Sequence, residues 1–262
     1  MKKIILFLIS SILLLGCSDD STNPEEQDVF SGDSGTFIDE RDGHEYKWVK
    51  IGEQIWMAEN LKYLPFTYFT REDQPLTAAY FVYDYFGASV EEAKATDNFE
   101  KYGVLYNYMA TLEACPEGWH VPSDNEWEQL AEYISSQNED YYKYESAYDE
   151  SGTADDWKEV GKHLKSNNGW ELPSGYSDIE SNGIDEFGFT ALPAGHYIPD
   201  NNHDFLGVGT STEFWSSTQG QSEGIVVRTG VFARTLSSYR PDFERRLVGV
   251  SGTSLSIRCI KD

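Results

Sequence analysis

The cysteine content restricts what this chain can fold into more than any other sequence feature. Three cysteines are present, and the first of them, at position 17, belongs to the N-terminal segment. The other two, Cys115 and Cys259, form an even pair, which in an oxidising compartment favours a disulfide. Such a bridge would close a loop of about 145 residues and contribute several kcal/mol to stability in the chain-entropy model. The alternative is two free buried thiols.

The N-terminal segment has the pattern of a lipoprotein signal peptide. Lys2 and Lys3 precede an almost wholly apolar stretch over residues 4–15, which is shorter than the roughly 20 residues that a membrane span needs. The stretch ends at Gly16-Cys17, which resembles the bacterial lipobox. We therefore predict that residues 1–16 are a signal peptide and that Cys17 is acylated and anchors the chain to a membrane. The alternative is an ordinary signal peptide followed by a chance cysteine.

Residues 17–35 are predicted to be the acylated cysteine and a flexible tether, because they are rich in Ser, Asp, Asn, Pro, Glu and Gly. Their segment Ser18-Asp19-Asp20-Ser21 resembles the acidic export signal that sends lipoproteins of the Bacteroidetes group to the outer face of the outer membrane. The sequence therefore predicts an outer-membrane lipoprotein exposed at the cell surface. The alternative is that these acidic residues are only part of a polar tether.

The composition indicates an acidic, folded chain. The formal net charge is −25, and loss of Lys2 and Lys3 with the signal peptide would make it about −27. This charge repels nucleic-acid phosphates, so no nucleic-acid partner is expected. No cofactor is expected either, with calcium left open because carboxylates attract divalent cations. Aromatic residues make up 15%, which argues against disorder, and the roughly 225 residues of 36–262 suffice for one large domain.

Short strands are predicted where this domain begins. Tyr46–Ile51 is rich in aromatic and β-branched residues, and Gln54–Ala58 follows it after the hairpin turn Gly52-Glu53. The acidic residues of Asp39–Gly43 suggest a calcium loop, but the EF-hand spacing is missing. A turn is therefore expected there.

Two amphipathic helices are predicted in the middle of the chain. Ser123 and Glu126 have the spacing of a capping box. The apolar face that follows consists of Trp127, Leu130, Ala131 and Ile134. A second helix is predicted from Thr153, with Asp156 completing its first turn and Trp157, Val160 and Leu164 on one face. Residues 137–152 lie between the two and have the acidic, Tyr-rich composition of a surface insertion.

Elsewhere the pattern is irregular. Residues 63–101 are expected to be loop with a short helix around Ser89–Ala95, Tyr102–Leu112 fits either a helix or a strand edge, and Asp200–Gly209 is expected to be a polar loop. Further strands are predicted at Phe187–Pro193, Phe214–Ser217, Gly224–Arg228, Val231–Leu236 and Leu255–Ile260. In the last of these, Cys259 shares a face with Leu255 and Ile257, which directs it to the core and supports the disulfide.

A series of segments, taken together and in order, resembles the Fibrobacter succinogenes major paralogous domain, which also occurs in Bacteroidetes lipoproteins. The segments are Tyr46–Gly52, Ile55–Leu61, Cys115–Ser123 (CPEGWHVPS), Glu126-Trp127, Leu164–Ser166, Gly169-Trp170, Phe187–Phe189, Ala191–Gly195, Phe214–Thr218 and Arg258–Asp262. The resemblance spans residues 36–262, and CPEGWHVPS is its most specific part. Members of the family are secreted or lipid-anchored and mostly of unknown function.

This resemblance implies an α+β fold of the C-type-lectin-like and sulfatase-modifying-factor kind. The expected domain has short antiparallel strands, two main helices, long irregular loops and a terminal strand bridged by Cys259. Residues 63–101 and 137–152 look longer than the family usually carries, and an added function is expected to lie in such insertions, about which the fold says nothing.

No catalytic centre is expected, because the motifs of the common chemistries are missing. The chain has no H-E-x-x-H, no zinc-type cysteine spacing, no G-x-S-x-G, and no E-P-N or Q-P-D with W-N-D. A glycosidase pair among the 45 acidic residues stays open, although nothing in the sequence marks one. A metal site on one loop would use His196, Asp200, His203 and Asp204, but a solvated polar loop is the preferred interpretation. His120 is expected to satisfy backbone groups.

Aromatic loop residues are the remaining candidates for ligand binding, since such rings stack on sugars and anchor protein interfaces. The candidates are Tyr63, Phe66, Tyr68 and Phe69 in one insertion, and Tyr141, Tyr142, Tyr144 and Tyr148 in the other. The alternative is that they pack against the domain.

The function predicted from these features is a surface-anchored, non-catalytic binding or adhesion domain whose ligand is an extracellular polysaccharide or an envelope protein. Two alternatives remain: a hydrolytic or oxidative enzyme on the same scaffold, and a structural component of the envelope.

Overall fold

The computed structural model describes residues 30–68, 77–145, 155–199, 204–222 and 227–262. Within them the chain is mixed α+β, with strands in three sheets and five short helices, which confirms the predicted class at that level. The strands are β1 (Ser34–Ile38), β2 (Glu45–Ile51), β3 (Gln54–Met57), β4 (Tyr80–Phe81), β5 (Leu105–Asn107), β6 (Trp119–His120), β7 (Lys143–Glu145), β8 (Asp155–Trp157), β9 (Ala194–Ile198), β10 (Asp204–Val208), β11 (Ser211–Gln221), β12 (Thr229–Ser237), β13 (Glu244–Val248), β14 (Ser254–Leu255) and β15 (Ile260–Lys261). The helices are α1 (Val90–Lys94), α2 (Asp97–Tyr102), α3 (Tyr108–Thr111), α4 (Asp124–Ser135) and α5 (Val160–Leu164). The predicted signal peptide and Cys17 lie outside the described residues.

The smaller of the two main sheets contains the predicted hairpin. Its strand order is β1-β2-β3-β15-β6, and Val49 of β2 pairs with Trp56 of β3. The turn between them places Gly52 at a φ of 63°, a left-handed conformation that glycine adopts without strain. Ile260 of β15 pairs with Trp56 on one side and with His120 of β6 on the other. The last strand is therefore an interior strand of this sheet.

The larger sheet has the order β13-β12-β11-β9-β14-β5-β4, with β10 paired to β9. Strands β11 and β12 form its long antiparallel hairpin, which contains a register shift between Trp215 and Gln219. Next to it, Thr212 of β11 pairs in parallel with Gly195 of β9. The sheet thus places the segment 194–198 next to 211–221, with 229–237 and then 244–248 following on the far side of 211–221.

Apolar side chains pack on both faces of this sheet. The neighbouring residues Phe214 and Trp215 of β11 are fully buried and belong to different core clusters, as alternation along a strand requires. The cluster around Phe214 includes Trp56 and Trp127, whose ring centroids are 4.5 Å apart. The helix α4 contributes Trp127, so this cluster lies between the helix and the sheets.

The helix predicted from the capping box is α4, and the prediction is confirmed. The Glu126 N–H donates to Ser123 Oγ at 3.2 Å, and the Ser123 N–H donates to Glu126 Oε2 at 2.7 Å. The face predicted to be apolar is buried as expected: Trp127, Leu130, Ala131 and Ile134.

The second helix differs from its prediction. Asp155–Trp157 is the strand β8, and only Val160–Leu164 is helical. The buried Asp156 carboxylate accepts from Arg246 Nη1 at 2.8 Å, and the Trp157 N–H donates to the Phe243 carbonyl at 3.0 Å. These tertiary contacts outweigh the local helix-start pattern. Thr153 lies outside the described residues.

Several other predicted elements are corrected. Phe187–Pro193 is not a strand, because Thr190 has a φ of 52° and donates its backbone N–H to the Asp185 carboxylate, which closes a tight turn. The predicted loop 200–209 contains the strand β10, and Leu255–Ile260 is broken between β14 and β15. Most of Gly224–Arg228 lies outside the described residues, and β13 was not predicted.

The remaining segments resolve the alternatives that the sequence left open. Residues 102–112 are both strand and helix, since β5 is followed directly by α3. The short helix expected near residue 89 is α1, which Ser89 caps by accepting from the Glu92 N–H. The described part of the predicted loop 63–101 also contains β4 and α2.

The predicted disulfide is present. Cys115 and Cys259 are bonded, with their Cα atoms 5.9 Å apart. Cys259 is fully buried in the core cluster that contains Trp48 and Trp119, as predicted, but residues 256 and 258 are equally buried and no strand covers 256–259.

Candidate functional site

The candidate site is a cavity of about 670 Å³ beside β11, β12 and β13, which we call the Glu213 pocket. It combines buried charged groups with exposed aromatic rings. Its lining residues are Tyr176, Glu213, Thr235, Tyr239, Arg240, Glu244 and Arg246.

The floor of the Glu213 pocket follows from strand register. Glu213 of β11 pairs with Thr235 of β12, and Thr235 pairs with Glu244 of β13. Directly paired residues on neighbouring strands point to the same face of a sheet. The three side chains therefore form a row, with the two carboxyl groups on either side of the Thr235 hydroxyl.

Glu213 is the least compensated acidic group of this row. Its side chain is 20% exposed and has one ion-pair partner among the described residues, His196, whose Nδ1 lies 3.2 Å from Oε1. Burial raises the pKa of the Glu213 carboxyl, although His196 and Arg246 act in the opposite direction. A buried carboxyl group with a perturbed pKa that lines a cavity is typical of a functional site.

The Glu244 carboxylate has more ion-pair partners than the Glu213 carboxylate. It accepts from Nη1 of Arg240 and lies 3.2 Å from Nη2 of Arg246. Each arginine also contacts an aspartate: Arg246 bonds to Asp156 at 2.8 Å, and Arg240 bonds to Asp242 at 3.2 Å. The charged groups behind the row therefore form a network in which both guanidinium groups bridge two carboxylates.

Two further side chains hold this network in place. The Tyr144 hydroxyl donates to Asp242 Oδ2 at 2.7 Å and contacts Nη2 of Arg240 at 2.9 Å. Lys165 Nζ donates to the carbonyls of Ser237 and Arg240 at 3.0 and 3.1 Å. Burial lowers the pKa of Lys165 to about 8.

The rim of the Glu213 pocket is aromatic. Tyr176 and Tyr239 are tilted toward each other, with ring centroids 5.0 Å apart and an interplanar angle of 32°. Their exposed fractions are 47% and 37%. Exposed tyrosine rings beside buried polar groups can bind the apolar face of a ligand while the floor binds its polar groups.

The first group of predicted ligand residues packs mainly against the domain. The Tyr63 ring lies under the guanidinium of Arg41, 3.9 Å from its Cζ to the ring centroid. Tyr68 packs against Phe81 with ring centroids 5.7 Å apart. Phe66 is 44% exposed and contacts Tyr80 edge-on, while Phe69 lies outside the described residues.

The second group is divided between packing and the site. The Tyr141 hydroxyl bonds to Nε2 of His163 at 2.7 Å, whereas the Tyr142 side chain is 53% exposed. Tyr144 is the one described member of either group that touches the network behind the Glu213 pocket. Tyr148 lies outside the described residues.

The predicted metal loop is only partly described. His196 lies next to Glu213, Asp204 is the first residue of β10, and Asp200 and His203 lie outside the described residues. In the described ranges, no group of three or more His, Cys, Asp or Glu side chains is arranged to hold a metal ion. His120 binds side chains rather than the backbone groups expected for it: its ring nitrogens bond to Asp262 at 2.7 Å and to Glu126 at 2.8 Å.

Sequence reasoning missed the residues that build the pocket. Glu213 stands between the buried residues Thr212 and Phe214, but the predicted strand began only at Phe214, so Glu213 was left outside it. No local pattern marks Glu244 or Tyr239, because they reach Glu213 only through the pairing of three strands.

Of the comparisons with known proteins, the one with family models gives a match. No curated protein and no solved structure matches the chain. In the part of the chain that the structure describes, no helix has the length and apolar character to cross a membrane. A family model described as the Fibrobacter succinogenes major domain matches residues 49–261, and the chain therefore belongs to that family.

Proposed function

We propose that this chain is a lipid-anchored cell-surface protein whose domain binds an extracellular polysaccharide in the Glu213 pocket without transforming it. The lipobox-like Gly16-Cys17 and the acidic segment after it support the anchor and the outer-membrane location. The mixed α+β fold and the family membership are compatible with a C-type-lectin-like domain, which we include in the proposal.

The observation that carries the proposal is the pairing of two exposed tyrosines with a polar floor in one cavity. Tyr176 and Tyr239 offer ring faces on which a sugar can stack. Glu213 and Thr235 offer an acceptor and a hydroxyl group within the same cavity. Sites for small ligands commonly combine apolar or aromatic walls with a few convergent polar groups in this way.

Glycoside hydrolysis is the second candidate, because Glu213 and Glu244 face the same cavity across Thr235. Two strand spacings separate their Cα atoms by about 10 Å, which is compatible with the carboxyl separation of inverting glycosidases. Burial raises the pKa of Glu244 over the opposing effect of Arg246 and Arg240, but both guanidinium groups already bind its carboxylate, which leaves it less available to a substrate or water in the cavity. Binding is therefore the better-supported function.

The test is a binding screen of the full chain, purified in detergent, against soluble plant and microbial polysaccharides, with calcium and with chelator. Tyr239→Ala is expected to weaken binding about tenfold or more, because stacked aromatic anchors dominate such contacts. Tyr133→Ala is the matched control, since Tyr133 is 38% exposed and packs over Gly52 and Phe187.

The outcomes separate the candidate functions. Saturable binding that depends on Tyr239, without release of reducing ends, supports the proposal. Release of reducing ends that stops in Glu213→Gln supports the hydrolase. Binding that is indifferent to Tyr239 but lost in Phe66→Ala or Tyr142→Ala would move the site to the insertions. If no polysaccharide binds, a protein ligand or a structural role in the envelope becomes the better explanation.

A further inference from the structure

The charged groups around the Glu213 pocket carry a net negative charge. Four carboxylates line it or contact its lining residues, and two guanidinium groups oppose them; the groups are Asp156, Asp242, Glu213, Glu244, Arg240 and Arg246. Adding the buried ammonium of Lys165, which donates to the Arg240 carbonyl, still leaves one negative charge in excess when His196, the neighbour of Glu213, is counted as neutral. The excess is located at Glu213, because each arginine already contacts two of the other carboxylates.

Glu213 and Thr235 both line the cavity, and both have unused hydrogen-bonding capacity among the described residues. Among the described residues, His196 is the one ion-pair partner of Glu213, at 3.2 Å. The buried Thr235 Oγ1 has no hydrogen-bond partner in the described part of the chain. A carboxylate and an unpaired hydroxyl oxygen, adjacent on paired strands, are acceptors for a ligand that carries several N–H donors.

The rim adds a preference for the same kind of ligand. The faces of the Tyr176 and Tyr239 rings carry negative quadrupole charge, which attracts a cation, and their apolar surface stacks on a sugar ring. The excess carboxylate charge would repel an anionic ligand. Both guanidinium groups that could attract such a ligand are already shared between two carboxylates. A neutral sugar could stack but would bring no cation to Glu213, whose one ion-pair partner among the described residues is His196.

We propose that the Glu213 pocket recognises a protonated primary amine carried on a sugar ring, so that the polysaccharide bound by this protein contains unacetylated amino sugars. The ammonium group forms an ion pair with Glu213 and donates to Thr235 Oγ1, while the sugar ring stacks on Tyr239. This inference rests on the proposed binding function and specifies its ligand class.

Three oligosaccharides that differ only at carbon 2 test this inference. The probes are cellopentaose with a hydroxyl, penta-N-acetylchitopentaose with an acetamide, and the fully deacetylated glucosamine pentamer with an amine. Binding to the full chain in detergent is measured by calorimetry at low salt and at a pH where the amine is protonated. The amine pentamer is expected to bind about tenfold or more tightly than the other two.

Variants of the floor separate the ion pair from stacking. Glu213→Gln keeps the shape of the side chain and is expected to remove the preference for the amine, while weak binding of cellopentaose persists. Thr235→Val is nearly isosteric and is expected to weaken amine binding several-fold. Glu53→Gln is the control, because it removes one negative charge from an exposed turn in the other main sheet.

Two results would overturn the inference while leaving the proposed function intact. In the first, cellopentaose or the acetylated pentamer binds as tightly as the amine pentamer, and Tyr239→Ala abolishes the binding of all of them. The other is amine binding that Glu53→Gln weakens as much as Glu213→Gln, which would show a general attraction to an acidic protein. If none of the three probes binds while another polysaccharide binds in a Tyr239-dependent way, that result would exclude the amine as the recognised group and would keep the Glu213 pocket as the binding site. If no polysaccharide binds, the proposed function itself fails.

Discussion

Arg258 Nε donates a hydrogen bond to Asn60 Oδ1 at 2.8 Å, joining two buried residues that are 198 positions apart in the chain. The same guanidinium donates to the carbonyl groups of Met57, Phe189 and Thr190. It also lies 4.6 Å from the Phe189 ring centroid. Arg258 thus serves as a common hydrogen-bond donor for two separate segments of the core, 57–60 and 189–190.

Replacing Arg258 should therefore destabilise the whole domain. We expect Arg258→Met to lower the free energy of unfolding by about 3–5 kcal/mol, because it leaves several buried acceptors without a donor. Denaturant unfolding of the full chain measures this. The control Arg228→Met, at an exposed position, should change the free energy of unfolding by less than about 0.5 kcal/mol. A loss of similar size in both variants would contradict the assigned role.

The disulfide should contribute a large part of the stability. Cys115 and Cys259 are 144 positions apart, so the bond restricts most of the unfolded chain. We expect Cys115→Ser/Cys259→Ser to lose about 2–5 kcal/mol of unfolding free energy. The same loss should appear when the unmodified chain is unfolded with reductant, and reductant should not affect the double variant. An unfolding midpoint of the unmodified chain that reductant leaves unchanged would refute this expectation.

His120 should stabilise the fold more in acid than in alkali. Burial alone would lower the pKa of His120, but hydrogen bonds to Asp262 and Glu126 outweigh it and raise the pKa above its usual value. A histidine whose pKa is raised on folding stabilises the protein fully below its unfolded pKa, and this contribution disappears as the pH rises through its folded pKa.

The matching experiment compares His120→Ala with the unmodified chain at about pH 5 and about pH 8. The loss of unfolding free energy should be up to about 1 kcal/mol at the lower pH and smaller at the higher one, because the partly exposed pair is screened by solvent. Phe66→Ala, which changes no titratable group, should show a loss that does not depend on pH in this way. An equal loss for His120→Ala at both pH values would show that packing rather than charge is responsible.

Glu213 should lower the stability of the domain at neutral pH. Burial raises its pKa, so the carboxyl group becomes charged at a free-energy cost as the pH rises from the unfolded pKa through the folded one. We expect Glu213→Gln to raise the unfolding free energy by about 1 kcal/mol at neutral pH and to give no gain in acid, where the carboxyl group is protonated in both states. Thermal unfolding across pH tests this, with Glu53→Gln as the control. A destabilised Glu213→Gln at neutral pH would mean that the carboxylate is structural.

Local patterns in the sequence were sufficient to predict the elements that depend on near neighbours. The helix α4 follows from the Ser123–Glu126 capping box, and the β2–β3 hairpin follows from its turn at Gly52. The disulfide followed from an even cysteine pair and the expected burial of Cys259, although the alternating strand from which that burial was predicted is not formed. In each case the energy that selects the structure comes from residues a few positions apart or from a covalent bond.

The site could not be predicted in the same way, because distant segments assemble it. Glu213, Thr235 and Glu244 meet through the register of three strands, and β13 has no clear alternation because Arg245 and Arg246 interrupt it. The helix predicted from Thr153 failed for a related reason: Asp156 pairs with Arg246, 90 positions away, and the segment becomes a strand. Long-range ion pairs outweighed local preference at the place where the pocket forms.

The position of β15 has a consequence for the order in which the chain can fold. Ile260 pairs with Trp56 and His120, so the smaller main sheet is complete only after contacts form across roughly 140 to 200 positions of the chain. Closing loops of that length is entropically slow, and folding rates fall as the average separation of contacting residues increases. We therefore expect this domain to refold on the slow side of the range for single domains, with the β2–β3 hairpin forming early and β15 joining it late.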